Sequence, residues 1–100
     1  MSQADSGNMF PFRETKIKSN VVIREFDEDT DSKELIWHLD REDRTVKVLE
    51  SNGWKLQLDN KLPFLLENKK EYKIPKYTYH RVIKGEGRLL VKIEKHNATY

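Results

Sequence analysis

The chain has 100 residues, enough for one hydrophobic core and too few for two. It carries no cysteine, which excludes disulfides, thiolate metal sites and thiol catalysis and fits a reducing compartment. Charged residues make up 36%, yet 19 basic against 17 acidic side chains leave a net charge of only +2, and the signs alternate without forming a basic stripe, so there is no electrostatic case for nucleic acid.

The N-terminal stretch MSQADSGNMFPF has neither the basic nor the long apolar region of a signal peptide, and no later run approaches membrane-spanning length. A soluble, cytoplasmic protein without a membrane partner is therefore expected. Residues 1–15 read as a flexible arm able to dock through Phe10 and Phe12, residues 16–95 as one domain, and residues 96–100, with His96, as a polar tail. KIKSNVVIREF (16–26) is rich in β-branched residues and reads as the first strand, followed by the acidic, strand-breaking loop DEDTDSK (27–33). ELIWHLD, TVKVLE, WKLQLD, PFLLE, EYKIP, TYHRVIK and RLLVKIEK follow, separated by Asn-Gly, Asp-Asn, Asn-Lys-Lys and Gly-Glu-Gly turn signals. Val46 and Val48 share one face of their strand, as do Trp54, Leu56 and Leu58, and Leu89, Val91 and Ile93. No helix is expected, because the one competing stretch, 60–72, is interrupted by Pro63 and lacks a helical stripe. Eight short strands at fairly even spacing predict an all-β, antiparallel sandwich or barrel.

Within LIWHLDREDR (35–44), His38 and Asp40 stand two residues apart and would emerge side by side from a strand. That pattern fits a metal grip, and it equally fits a hydrogen-bonded pair. The stretch KIPKYTYHRVIK (73–84) interleaves Lys73, Lys76, Arg81 and Lys84 with Tyr77 and Tyr79, and reads as a strand with solvated flanks rather than a nucleic-acid surface. Trp37 and Trp54 read as packing or interface aromatics. No nucleophilic triad order, phosphate-cradling glycine loop or paired-cysteine motif is present.

The order of strands and turns resembles the cupin superfamily, a small double-sheet jelly-roll barrel of the RmlC-like kind. TVKVLESNGW (45–54) is similar to the end of that family's first motif, with Gly53 as its closing glycine, and IPKYTYH (74–80) to the core of the second, with Pro75 and His80 at matching spacing. The motifs are degenerate. His38-Leu39-Asp40 stands where the family has His-x-His, and Arg44 replaces the glutamate that follows. In the second motif Lys69 replaces the opening glycine, Tyr77 the glycine after the proline, and Lys84 the closing asparagine.

Carried over residue by residue, the resemblance implies a metal set of His38, Asp40 and His80, with Asp40 standing in for a histidine, and a ligand pocket with Arg44 and Gln57. Two imidazoles and one carboxylate suit Fe(II) first, with Mn(II), Ni(II) or Zn(II) as alternatives. The implied function is divalent-metal binding in a central barrel pocket, with a metal-dependent activity on a small oxygenated or carboxylate molecule. The alternative is a metal-free, non-catalytic binding module or a homodimerisation piece, pairing through the strand at 20–26 and the Phe10 to Phe12 arm. Gln57 lies out of phase with Trp54, Leu56 and Leu58, so it either faces the pocket or is an ordinary exposed residue. His-x-Asp with a distant His also resembles the ligand signature of 2-oxoglutarate-dependent oxygenases, where Arg88 would take the cosubstrate. A solvated strand-edge arginine is the favoured reading of Arg88.

Overall fold

Alternating β-branched and aromatic residues set most of the strands, because a pleated segment can bury one face and leave the other to lysine, glutamate and arginine. The computed structural model describes residues 11–96. Among them eight strands follow in order: β1 Arg13–Lys18, β2 Val21–Phe26, β3 Asp43–Glu50, β4 Lys55–Leu58, β5 Phe64–Leu65, β6 Glu71–Ile74, β7 His80–Ile83 and β8 Leu89–His96. They pair antiparallel into a five-stranded sheet, β1-β2-β8-β3-β6, and a three-stranded sheet, β5-β4-β7.

The core lies between the sheets. Val22 and Phe26 of β2, Val46 and Val48 of β3 and Leu89, Val91 and Ile93 of β8 pack in one cluster with Trp54, Leu56 and Leu66. Register explains the choice: Val22 stands opposite Ile93 and Phe26 opposite Leu89, while Val46 and Val48 stand opposite Ile93 and Val91, so one stripe of apolar side chains crosses three strands. The Gly-Glu-Gly hairpin signal also has a packing reason. A Cβ on Gly85 would fall 2.4 Å from the Trp54 backbone nitrogen and 2.5 Å from the Asn52 carbonyl oxygen, so only glycine lets the two turns meet.

Several expectations are corrected. The two sheets do not close into a barrel; they face each other as a jelly-roll-compatible sandwich. The run 16–26 is a hairpin, because the chain turns at Ser19-Asn20 and β1 starts at Arg13, inside the stretch read as an arm. ELIWHLD is not a regular strand. A single 3₁₀ turn, Ser32–Glu34, is capped by the Asp31 side chain accepting from the Lys33 N–H at 3.0 Å, and the extended segment after it forms no regular ladder, pairing with the sheet through an isolated bridge at His38. Ile36, Trp37 and Leu39 stay exposed there, so this apolar run buries little besides Leu35. His96 is no tail residue: it ends β8, with Nε2 hydrogen-bonded to Thr45 Oγ1 at 2.8 Å. The strand expected to pair two copies, β2, lies inside its sheet between β1 and β8, and Phe12 packs on Phe26 of the same chain. Phe10 and the residues after His96 lie outside the described residues.

Two substituted motif positions keep the backbone that glycine normally serves. Lys69 has φ 71° and Tyr77 φ 60°, both left-handed, and both amides are used: Lys69 N–H donates to the Val48 carbonyl at 2.8 Å and Tyr77 N–H to that of Asp40 at 2.7 Å. A side chain in that region costs about 1–2 kcal/mol, partly offset by the greater chain entropy glycine loses on folding. Lys69→Gly is therefore expected to stabilise the protein by roughly 0.5–1 kcal/mol, read as a higher urea midpoint, with Lys69→Ala giving no gain. A midpoint that falls in the glycine variant would contradict the strain.

Candidate metal centre

His38 and His80 come from opposite sides of one small ladder. Each donates its backbone N–H to the other's carbonyl, at 3.0 and 2.8 Å, a hydrogen-bonded antiparallel pair that puts both side chains on one face. The imidazole centroids lie 4.1 Å apart in an edge-on arrangement. Asp40 follows two residues later and projects the same way. One ligand atom each from His38, Asp40 and His80 lies within 4.8 Å of the others, a cluster that could hold a metal ion.

The proton positions suit ligation. His80 Nδ1 lies 2.9 Å from the Thr78 carbonyl and His38 Nδ1 lies 3.3 Å from that of Ile36. A carbonyl only accepts, so in the neutral form of each ring the hydrogen sits on Nδ1 and Nε2 presents a lone pair. Burial pushes the His80 imidazole below its ordinary pKa; His38 and Arg44 push the same way, while the Thr78 bond and Asp40 oppose them. His80 is thus held neutral, the form that binds a metal. Asp40 is divided in its contacts. Oδ1 lies 3.2 Å from an Arg44 nitrogen, whereas Oδ2 is buried with no hydrogen-bond partner, 3.4 Å from His80 Nε2. A buried carboxylate oxygen without a donor costs free energy that a cation at that place would remove, so the donor set fits a divalent ion.

A cavity of about 730 Å³ opens from this cluster between the sheets. His38, Asp40, His80 and Arg44 form its polar end; Phe26, Leu56, Ile74, Val82, Leu89 and Val91 are among its apolar walls. Arg44 lines this cavity, with Nε donating to Glu42 at 2.7 Å as well as its contact to Asp40. Gln57 does not. It sits opposite Arg81 on the outer face of the three-stranded sheet, accepts from Arg81 Nε at 2.9 Å and donates to the Lys61 carbonyl at 3.0 Å. Alternation is the reason, since neighbouring Leu56 takes the cavity face. Arg88 also stays outside, pairing with Glu50 at 2.8 Å and Glu25 at 3.2 Å. Arg81, in turn, covers the Trp37 ring at 4.8 Å.

Arg24 escapes a reading by motif. It lines the cavity from β2 between Val22 and Phe26, with its side chain only 12% exposed. The signal was local: a cation at the middle of a Val-x-Arg-x-Phe face whose other two members are core residues.

The imidazole shift sets a pH dependence. Without metal, the unfolded chain takes a proton on this histidine near its ordinary value of about 6.5, while folded His80 takes it only at lower pH. The unfolded state therefore binds more protons between those two values, and stability present above about pH 6.5 is lost as the pH falls through that window. The melting temperature of EDTA-treated protein is expected to drop below pH 6.5, with a shallower drop in His80→Gln. Identical slopes in the two proteins would refute the assignment to His80.

No family profile and no curated protein matches the chain. Solved structures match its fold. A cupin-2 domain protein from Shewanella frigidimarina shares 18% identity at a TM-score of 0.63, covering 96% of this chain and 94% of its own. A cupin domain from Bordetella pertussis shares 19% at a TM-score of 0.59, covering 86% and 92%. A chain from the DMSP lyase structures has a TM-score of 0.66 at 18% identity over 78% of this chain, which spans 38% of that one. The fold is that of a small cupin, and RmlC-like cupin structures are among its neighbours. Among the described residues no helix is long and apolar enough to cross a membrane.

Proposed function

We propose that this cupin-fold chain holds one divalent metal ion on His38, Asp40 and His80 and binds a small oxygen-bearing or carboxylate molecule beside it, in the cavity between the sheets. One arrangement carries the proposal: His38, Asp40 and His80 each bring a ligand atom within 4.8 Å of the others, and Asp40 also has a buried oxygen with no hydrogen-bond partner. Two imidazoles and one carboxylate leave coordination positions open and favour Fe(II), then Mn(II), Ni(II) or Zn(II). Such an ion polarises a bound oxygen group or lowers the pKa of bound water. The protein's own residues do the rest. The Thr78 and Ile36 carbonyls fix the two imidazoles, Arg44 steadies Asp40 through Oδ1, and the apolar walls keep water from the bound molecule.

The test is elemental analysis of protein purified without a histidine tag, followed by chelation and re-addition of each ion. About one ion per chain is expected. Saturation at a hundred times Kd stabilises by about 2.7 kcal/mol, a rise in Tm of roughly 10–20 °C for a domain of this size. Protein that carries no metal and shows no shift would retire the proposal in favour of the metal-free binding module. The contacts that favour that second reading are those of Asp40 with Arg44 and His80. Self-association into a homodimer, if it uses strand pairing, has β1 and β6 as the edges of the larger sheet.

A further inference from the structure

Charged side chains rarely occupy the core face of a strand, because the cost of removing them from water must be met by partners or by function. The larger sheet has two that line the cavity. Arg24 stands in line with Val22 and Phe26, Arg44 in line with Val46 and Val48, and each side chain is 12% exposed. Their partners occupy only part of each guanidinium. Arg24 directs Nε and one terminal nitrogen to the same oxygen of Glu14, at 2.9 and 2.7 Å. Arg44 uses Nε for Glu42 and one terminal nitrogen for Asp40. In both residues the structure shows no hydrogen bond from the second terminal nitrogen to any described residue. The Phe12 ring lies 3.8 Å from the Arg24 guanidinium carbon, so the plane of this fork is held between an aromatic face and a carboxylate.

The charges around the cavity point the same way. Glu14 and Glu42 balance the two arginines. If the metal reading above holds, a divalent ion on two neutral imidazoles and one aspartate leaves one positive charge uncompensated. A monoanion is the ligand that neutralises it. Away from that polar end, the cavity of about 730 Å³ is walled by Phe12, Phe26, Leu56, Ile74 and Leu89, which accommodate an apolar body.

We propose that Arg24, with Arg44, is the anion receptor of this cavity, and that the site takes monocarboxylates with an apolar chain or aryl body rather than small hydrophilic molecules. In this scheme Arg24 selects the carboxylate and Glu14 competes with it for the same guanidinium. The proposal rests on the metal-centre reading for its charge balance, but Arg24 can be tested separately.

The experiment is calorimetric titration of phenylbutanoate and of the neutral phenylbutanol into metal-loaded wild type, Arg24→Gln and Glu14→Gln, with metal content and Tm recorded for each. Wild type is expected to bind the carboxylate about tenfold more tightly than the alcohol. Arg24→Gln should weaken carboxylate binding by about tenfold while leaving alcohol binding and metal content unchanged. Glu14→Gln, which frees the fork, should tighten carboxylate binding a few-fold. A purely structural Arg24–Glu14 pair would instead change Tm in both variants and leave the carboxylate affinity where it was. No binding of phenylbutanoate by wild type, equal affinity for acid and alcohol, or an affinity that Glu14→Gln does not raise overturns the proposal. If Arg24→Gln fails to fold, Glu14→Gln decides alone. If wild type takes up no metal, the metal reading fails by its own measurement, and the same titrations on metal-free protein judge the arginine.

Discussion

Replacing Asp40 by asparagine is expected to lower divalent-metal affinity by roughly 100-fold or more and to abolish the metal-induced rise in Tm. Removing a ligand should cost at least the 10–100-fold associated with removing a ligand's hydrogen-bonding support. Asparagine keeps the shape of the side chain and an oxygen for Arg44, 3.2 Å away, but loses the charge and replaces one carboxylate oxygen by a hydrogen-bond donor. His38→Ala tests the same centre from its exposed side. His38 makes its bridge to His80 through backbone atoms, so alanine removes the proposed ligand and leaves the ladder in place. His80→Ala is less clean, because His80 is buried and its loss also leaves a cavity. Metal content by elemental analysis and Tm with and without added ion are the measurements. Retention of a full equivalent of metal by Asp40→Asn and His38→Ala would show that the ion, if any, binds elsewhere.

The second large effect is structural. Trp54→Ala is expected to destabilise the fold by about 3–5 kcal/mol, the range for removing a large aromatic side chain from a core. Trp54 is fully buried, packs on Phe26 at a centroid distance of 5.9 Å, and donates its indole N–H toward the Glu86 and Gly87 carbonyls at 3.3 and 3.2 Å. Alanine would empty the centre of the sandwich and leave both carbonyls without that donor. Against a total stability of about 5–15 kcal/mol, the loss should lower Tm by roughly 15–30 °C, measured by circular dichroism. Trp37→Ala should cost far less, since that ring is 39% exposed and its recorded ring partner is Arg81 on the outer face. Comparable losses in the two variants would mean that the core is not centred on Trp54.

Local patterning alone determines much of this protein. Alternation of Val46 with Val48, of Trp54 with Leu56, and of Leu89 with Val91 and Ile93 specifies which side of each strand is buried, because side chains in a strand point alternately to its two faces. The turn residues mark where the chain reverses. His38, Asp40 and His80 were legible as a possible ligand set from residue type and motif spacing. Those same rules could not say whether Gln57 faced the pocket, and they joined β1 and β2 into one strand because the Ser19-Asn20 turn carries a weak signal.

Only the tertiary structure decided what those segments meet. Hydrophobicity of ELIWHLD predicted a strand, but Ile36, Trp37 and Leu39 find no core to enter, so the segment runs extended outside the regular ladders and is tied down at His38. That tie brings an imidazole and a carboxylate against a histidine some forty residues further on, a long-range contact that no local spacing encodes. The inward aim of Arg24, its pairing with Glu14 across the hairpin, and the open sandwich in place of a barrel have the same origin. Alternation fixes the face of a side chain within its strand, whereas the sheet on the other side of that face, and the space left between the two, depend on how distant segments pack together.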